Sequence, residues 1–192
     1  MGQAATEFKL NPEDYLAWEA LQQERHEYVD GEVFNMSGAE DRHVTVALNA
    51  AMALRQHTTG SPCRVFMTDM KLQVASSKAY FYPDVFVTCS AADRASPLVK
   101  QEATLIIEVL SPSTAAYDRG AKFAHYRGIP TLQEYALIDI DLRRTDVYRK
   151  GAEGLWVLHP FEAGQAVTLA SADLTISARE LFAEVDDETS EA

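Results

Sequence analysis

The sequence predicts an α/β (α+β) protein built as one domain, on three observations. Stretches of helical periodicity are interspersed with short β-rich runs and tight turns, the mixture expected when helices and sheets share one core. Residues 104–110 (Thr-Leu-Ile-Ile-Glu-Val-Leu) form an almost continuous apolar run, as in a strand covered on both faces. No repeat or low-complexity linker divides the 192 residues before the acidic end. Residues 1–185 are therefore expected to form one domain, and residues 186–192 a disordered tail.

The elements follow in order. Asn11-Pro12-Glu13-Asp14 starts a helix: Asn caps, Pro suits the first helical position, and the two acids face the positive end of the dipole. Leu16, Ala17, Ala20 and Leu21 give it an apolar stripe. Residues 26–29 and 32–36 flank Asp30-Gly31, a hairpin signal. Val44, Ala47, Leu48, Ala51 and Leu54 or Arg55 recur at helical spacing before Gly60. Residues 64–67, 70–74, 80–88 and 104–110 read as strands, with a loop over 91–100. Residues 118–127 have helical character and stop at Gly128-Ile129-Pro130. Strands at 134–140, 145–149 and 155–158 and a short helix at 177–182 complete the chain.

Composition narrows the function. At 47% apolar residues the chain can fill a core, and no apolar run approaches the ~20 residues of a membrane span. Cys63 and Cys89 are too few for a disulfide framework, and no Cys/His pair has zinc-ligand spacing. No charged-then-apolar leader is visible, so a cytoplasmic address is expected. The net charge of −12 argues at first against nucleic acid. Its distribution is uneven: residues 1–41 carry ten acids and two bases, residues 180–192 carry six acids and no base, and residues 42–179 carry 15 bases against 13 acids.

Glu108 is the most informative residue. An ionised carboxylate inside 105–110 is costly unless a cation or hydrogen-bond donors receive it. Pairing with a buried base, or an exposed strand face, would also account for it. Asp84, after Pro83 and before Val85-Phe86-Val87, is a second acid at an apolar strand, or simply a turn residue. If the two strands pair, the carboxylates come within reach of one divalent ion of the Mg²⁺ or Mn²⁺ type. Asp118, Lys122 and Tyr126 are spaced to share a helix face. Lys122 could form an ordinary surface ion pair with Asp118, or point at the two acids and stabilise charge on a phosphoryl transition state.

Pro83-Asp84 followed by Glu108-Val109-Leu110 resembles the PD-(D/E)XK nuclease superfamily. The order HEYVDGE, His43, YPDVFV, IIEVLSPST, YDRGAKFAHYRGIPTLQEYALID is more closely similar to the Uma family of restriction endonuclease-like proteins, over about residues 26–148. The superfamily places a lysine two residues after the Glu, where this chain has Leu110; in the Uma pattern the matching lysine is Lys122, on the following helix. The resemblance implies a restriction-endonuclease-like central mixed sheet flanked by helices, with an N-terminal helix and hairpin and C-terminal β-hairpins. It implies DNA as substrate, and by analogy a homodimer. It also implies a Mg²⁺ or Mn²⁺ site held by Asp84, Glu108 and the Val109 carbonyl, with Lys122 orienting or activating the attacking water. Glu27, Glu32 and His43 match the N-terminal motif, without an indication of which glutamate faces inward. Ser111 could donate to phosphate or cap the next helix, and Tyr126 could position Lys122 or only pack. A binding module that keeps the fold without cleaving, or a hydrolase of another phosphate ester, would carry the same residues.

Overall fold

A computed structural model describes residues 9–36 and 38–185. Helix α1 (Pro12–Glu19) precedes the hairpin β1 (His26–Val29) and β2 (Glu32–Asn35), and α2 (Asp41–His57) follows. Strands β3 (Arg64–Met67), β4 (Lys71–Val74), β5 (Ala79–Phe81) and β6 (Val85–Thr88) come next, then α3 (Ala91–Ala95), β7 (Val99–Lys100) and β8 (Ala103–Val109). A helical crossover follows. It consists of α4 (Ala115–Tyr117), a π-helical turn (Asp118–Lys122) and α5 (Phe123–Tyr126). Strands β9 (Glu134–Asp139), β10 (Arg144–Lys150) and β11 (Trp156–Phe161), the hairpin β12 (Val167–Leu169) and β13 (Leu174–Ile176), and α6 (Ala178–Leu181) complete the described chain.

The expected α+β architecture is present as two mixed sheets flanked by helices. One sheet runs β11-β10-β9-β8-β6-β3, the other β2-β1-β5-β4-β7. The pair β8–β9 is parallel, and the helical crossover supplies the connection that parallel strands require. The chain passes from the second sheet to the first between β5 and β6, through Tyr82-Pro83-Asp84. Alternation along β8 sends Leu105, Ile107 and Val109 to a core beneath α2 and α6. Ile106 faces a second core with Phe81, Phe86, Phe123, Tyr126 and Tyr135. Each fully buried side chain of this size contributes roughly 1.5–3 kcal/mol, so β8 is fixed by its apolar residues, and a polar residue in its register is carried inward with them.

Several elements differ from expectation, each for a physical reason. Helix α1 is capped as predicted, with the Asp14 N–H donating to Asn11 Oδ1 at 2.8 Å, but of its predicted apolar stripe Leu16 packs against buried residues whereas Ala17, Ala20 and Leu21 are exposed. Leu21 is 83% exposed, and Tyr15 and Glu19 are the buried residues of α1. They are stable inside because they are bonded: Tyr15 donates to the His26 carbonyl (2.7 Å), and Glu19 accepts from Tyr82 (2.7 Å) and from the His26 N–H (3.1 Å). Residues 91–100, read as a loop, hold α3 and β7, because Ser90 caps α3 and Asp93 accepts the N–H groups of Gln101 and Glu102. Cys63 and Cys89 form a disulfide next to the β3–β6 pair Arg64↔Thr88. Residues 167–176, to which periodicity gave no element, form the β12–β13 hairpin. The expected disordered tail, 186–192, lies outside the described residues.

The Asp30-Gly31 hairpin forms as predicted, with φ of 42° at Asp30 and 101° at Gly31. An added Cβ at Gly31 would approach the Lys9 side chain at 3.2 Å. Gly31→Ala is therefore expected to lower stability by about 1–3 kcal/mol, read from urea unfolding.

Candidate active site

Glu108 is the penultimate residue of β8 and shares the face of Ile106, so the strand delivers its carboxylate into the second core, where it is buried. The antiparallel register Val85↔Ile107 continues to place Asp84 opposite Glu108. The two residues are cross-linked: the Asp84 N–H donates to Glu108 Oε2 at 3.3 Å, and the Val109 N–H donates to Asp84 Oδ2 at 2.8 Å. The proline before Asp84 marks the chain's entry into the sheet, which fixes Asp84 at the end of β6 rather than within it.

Lys122 arrives from the crossover. Its Nζ lies 2.9 Å from Glu108 Oε1, 3.0 Å from Glu27 Oε1 and 3.7 Å from Asp118 Oδ1. Tyr126 donates to Glu108 Oε1 at 2.8 Å, and its ring meets Phe81 and Tyr135 edge-on. The expected shared face of Asp118, Lys122 and Tyr126 is therefore present, built across a π-helical turn, a feature that recurs at functional sites. His43, in the first turn of α2, puts Nε2 3.0 Å from Asp84 Oδ1.

The hairpin separates the two candidate glutamates. Glu27 reaches Lys122, whereas Glu32 is exposed. Glu32 pairs with Val29, two residues nearer the turn than Glu27, so the same face of the hairpin carries it past the site. Ser111 is spent on the local turn: its Oγ accepts the Thr114 N–H at 3.3 Å and bonds the Ser113 and Thr114 hydroxyls. Two tyrosines carry no sequence signal for the site. Tyr135 donates to the Asp118 carbonyl at 3.0 Å. Tyr117 buries a hydroxyl without a hydrogen-bond partner among the described residues, in the field of Glu27, Lys122, Asp118 and Glu108.

The electrostatics follow from burial. Desolvation raises Glu108 to about 8; Lys122 opposes the shift, and Asp84 and Asp118 add to it. Burial likewise raises Asp118. For Lys122 burial favours the neutral amine, but Glu108 and Glu27 outweigh it and hold the ammonium charged well above its ordinary range. Burial alone would lower His43, and the hydrogen bond and charge of Asp84 reverse that, so its net shift is upward. Four carboxylates thus surround one fixed cation and one titratable imidazole. Among the described residues no group of three or more His, Cys, Asp and Glu side chains is arranged to hold a metal ion. Asp84 and Glu108 still offer two adjacent hard oxygen donors in a cluster with excess negative charge. That donor chemistry fits Mg²⁺ or Mn²⁺, for which one or two carboxylates, completed by water and substrate phosphate, are sufficient.

The chain is similar to known proteins over most of its length. A family model described as Uma2, "Putative restriction endonuclease", matches residues 12–179. Two uncharacterized proteins of Synechocystis sp. are similar: slr1290 is 38% identical over 169 residues, covering 88% of this chain and 89% of the relative. The other, sll1609, is 36% identical over 156 residues, covering 80% and 88%. The crystal structure of a "putative nuclease belonging to DUF820" from Anabaena variabilis superposes with a TM-score of 0.74 at 17% identity, over 90% of this chain and 97% of that one. At that identity the likeness establishes the shared fold.

Two outcomes are expected. Lys122→Met leaves buried carboxylates without their cation and should cost about 3–5 kcal/mol, part of which Lys122→Met/Glu108→Gln regains; chemical denaturation measures both. In metal-free buffer Glu108 binds its proton more tightly when folded (about 8) than at its ordinary 4.5, so the folded state holds more protons between those values and stability falls as pH rises through that window. His43, also raised, loses its contribution in the same direction. Unfolding midpoints should therefore decline from pH 5 to pH 8.5, with a shallower decline in Glu108→Gln.

Proposed function

Because the chain belongs to the Uma2 family of "putative restriction endonucleases", we propose that it is a metal-dependent nuclease that hydrolyses phosphodiester bonds of DNA at the Asp84–Glu108–Lys122 cluster. The observation that supports this reading best is the meeting of three groups distant in sequence: Asp84 and Lys122 both within hydrogen-bond reach of Glu108. Residues 1–185 act as one domain in this reading.

Asp84, Glu108 and the Val109 carbonyl are the donors for Mg²⁺ or Mn²⁺. Such an ion, when bound, supplies Lewis-acid polarisation of the scissile phosphate and lowers the pKa of water. The remaining steps belong to the chain. Water adds to phosphorus, the bond to the leaving sugar oxygen breaks, one proton leaves the water, and the departing oxygen takes a proton from solvent to leave as the alcohol. Lys122, held as an ammonium by its carboxylate neighbours, orients that water and stabilises the developing charge on phosphate oxygen rather than acting as the base. Glu27, bonded to Lys122 at 3.0 Å and outside the donor pair, is placed to take the proton. His43 fixes the rotamer of Asp84 through the 3.0 Å contact to Oδ1, and Tyr126 does the same for Glu108 at Oε1.

A second reading is favoured by two observations. Lys122 is shared among carboxylates and position 110 is leucine, as in a module that binds nucleic acid without cutting it.

Supercoiled plasmid and single-stranded RNA, each incubated with Mg²⁺ or Mn²⁺, separate the readings. The nuclease reading expects chelator-sensitive nicking of DNA that falls at least ~100-fold in Asp84→Asn and in Glu108→Gln, with folding of both checked by circular dichroism. Equal rates in wild type and both variants overturn the assignment of the site. DNA binding without any cleavage selects the second reading.

A further inference from the structure

Helix α2 buries Val46, Ala47, Ala50, Ala51 and Leu54 against the six-stranded sheet. The predicted stripe had included Val44 and Leu48, which point away from that core. Val44 is 51% exposed, Leu48 46% and Met52 60%. Asp41 and Arg55, also exposed, stand at the two ends of the same line. At 100° per residue, Asp41, Val44, Leu48, Met52 and Arg55 all fall within about 40° of the direction of Leu48. A helix face that served only solubility would carry charge along its length. This one carries charge at its ends, acidic at the first and basic at the last, with apolar side chains between.

The spacing is symmetric about Leu48. A two-fold axis through that residue would set Val44 against the partner's Met52, Leu48 against the partner's Leu48, and Asp41 against the partner's Arg55. Self-complementarity of this kind is what an isologous contact requires. The turn between β9 and β10, tied to α2 by the Arg42–Asp141 ion pair at 3.1 Å, adds Leu142, 63% exposed. Among the described residues none covers the stripe, whose Val44, Leu48 and Met52 stay exposed. Residues 186–192 read Asp-Asp-Glu-Thr-Ser-Glu-Ala, without a large apolar side chain. The first described residues lie on the β1–β2 hairpin, where the Leu10 N–H donates to the Gly31 carbonyl, in the sheet that does not carry α2.

From this complementarity of charge and shape we infer that the outer face of α2 is the docking surface for a second copy of this chain, with the two α2 helices antiparallel and Leu48 at the axis. The inference is independent of the proposed catalysis. It has a consequence for it: His43 lies five residues from the axis, so the two His43 residues, and the Asp84 carboxylates they hold, stand about 15 Å apart along the helix direction. A standard interface takes about 800 Å² from each partner, more than one helical stripe offers, so the assembly is expected to be a concentration-dependent dimer.

Sedimentation equilibrium of the full chain, without DNA or metal, tests this apart from any assay of cleavage. The expected result is a monomer–dimer equilibrium whose Kd rises at least ~10-fold in Leu48→Glu. Arg55→Asp is expected to weaken the dimer ~5-fold or more, and Asp41→Arg/Arg55→Asp to return it to within about twofold of wild type. These side chains are exposed in the protomer, so circular dichroism and melting should match wild type. A chain that stays monomeric to several hundred micromolar overturns the inference. So does a dimer indifferent to Leu48→Glu, or a double variant no tighter than Arg55→Asp. Monomer that instead binds phosphatidylcholine–phosphatidylglycerol vesicles through Leu48 assigns the stripe to a membrane surface and also overturns it.

Discussion

The contact between Lys122 and Glu108 is the constraint on which the site depends. Strand β8 must bury Leu105, Ile106 and Ile107 to hold the six-stranded sheet, and its register carries Glu108 inward with them. An unpaired carboxylate there would cost several kcal/mol. The crossover that joins β8 to its parallel neighbour β9 has to pass over this end of the strands, and it brings Lys122 and the Tyr126 hydroxyl to Glu108 Oε1. Fold and site therefore have the same requirement: the connection demanded by a parallel pair is also the element that neutralises the buried charge.

One cation does not balance the cluster. Glu27, Asp84, Glu108 and Asp118 meet Lys122 and a histidine that prefers its proton. The upward shifts of Glu108 and Asp118 come first from burial, and the neighbouring acids add to them. The net charge of −12 is located in the two ends of the chain, and the region between them, which carries Asp84, Glu108 and Asp118, is nearly balanced.

Much of the centre was legible before any coordinates, because its residues violate local rules. Glu108 breaks an apolar strand, Asp84 follows a proline at the head of another, and Lys122 shares a helical period with Asp118 and Tyr126. What stayed illegible had no local signature. Glu27 and Glu32 are both plausible from a hairpin of four-residue strands, and only the distance to the crossover separates them. Tyr117 has ordinary sequence neighbours, and its hydroxyl is buried only in the folded chain. Cys63 and Cys89 became bonded because β3 and β6 pair in one register.

By itself the sequence determined the α+β class, the hairpin at Asp30-Gly31, the buried run around Glu108 and the residue types of the centre, since caps, turns and burial patterns act over a few residues. The tertiary structure alone decided which acids share Lys122, that Tyr15 and Glu19 are the buried residues of α1 while Leu21 beyond its end is exposed, and that Val44, Leu48 and Met52 of α2 face outward. Those outcomes depend on contacts between strands and helices far apart in the chain. Periodicity can mark a side chain as apolar, but only packing settles which apolar side chains find a neighbour.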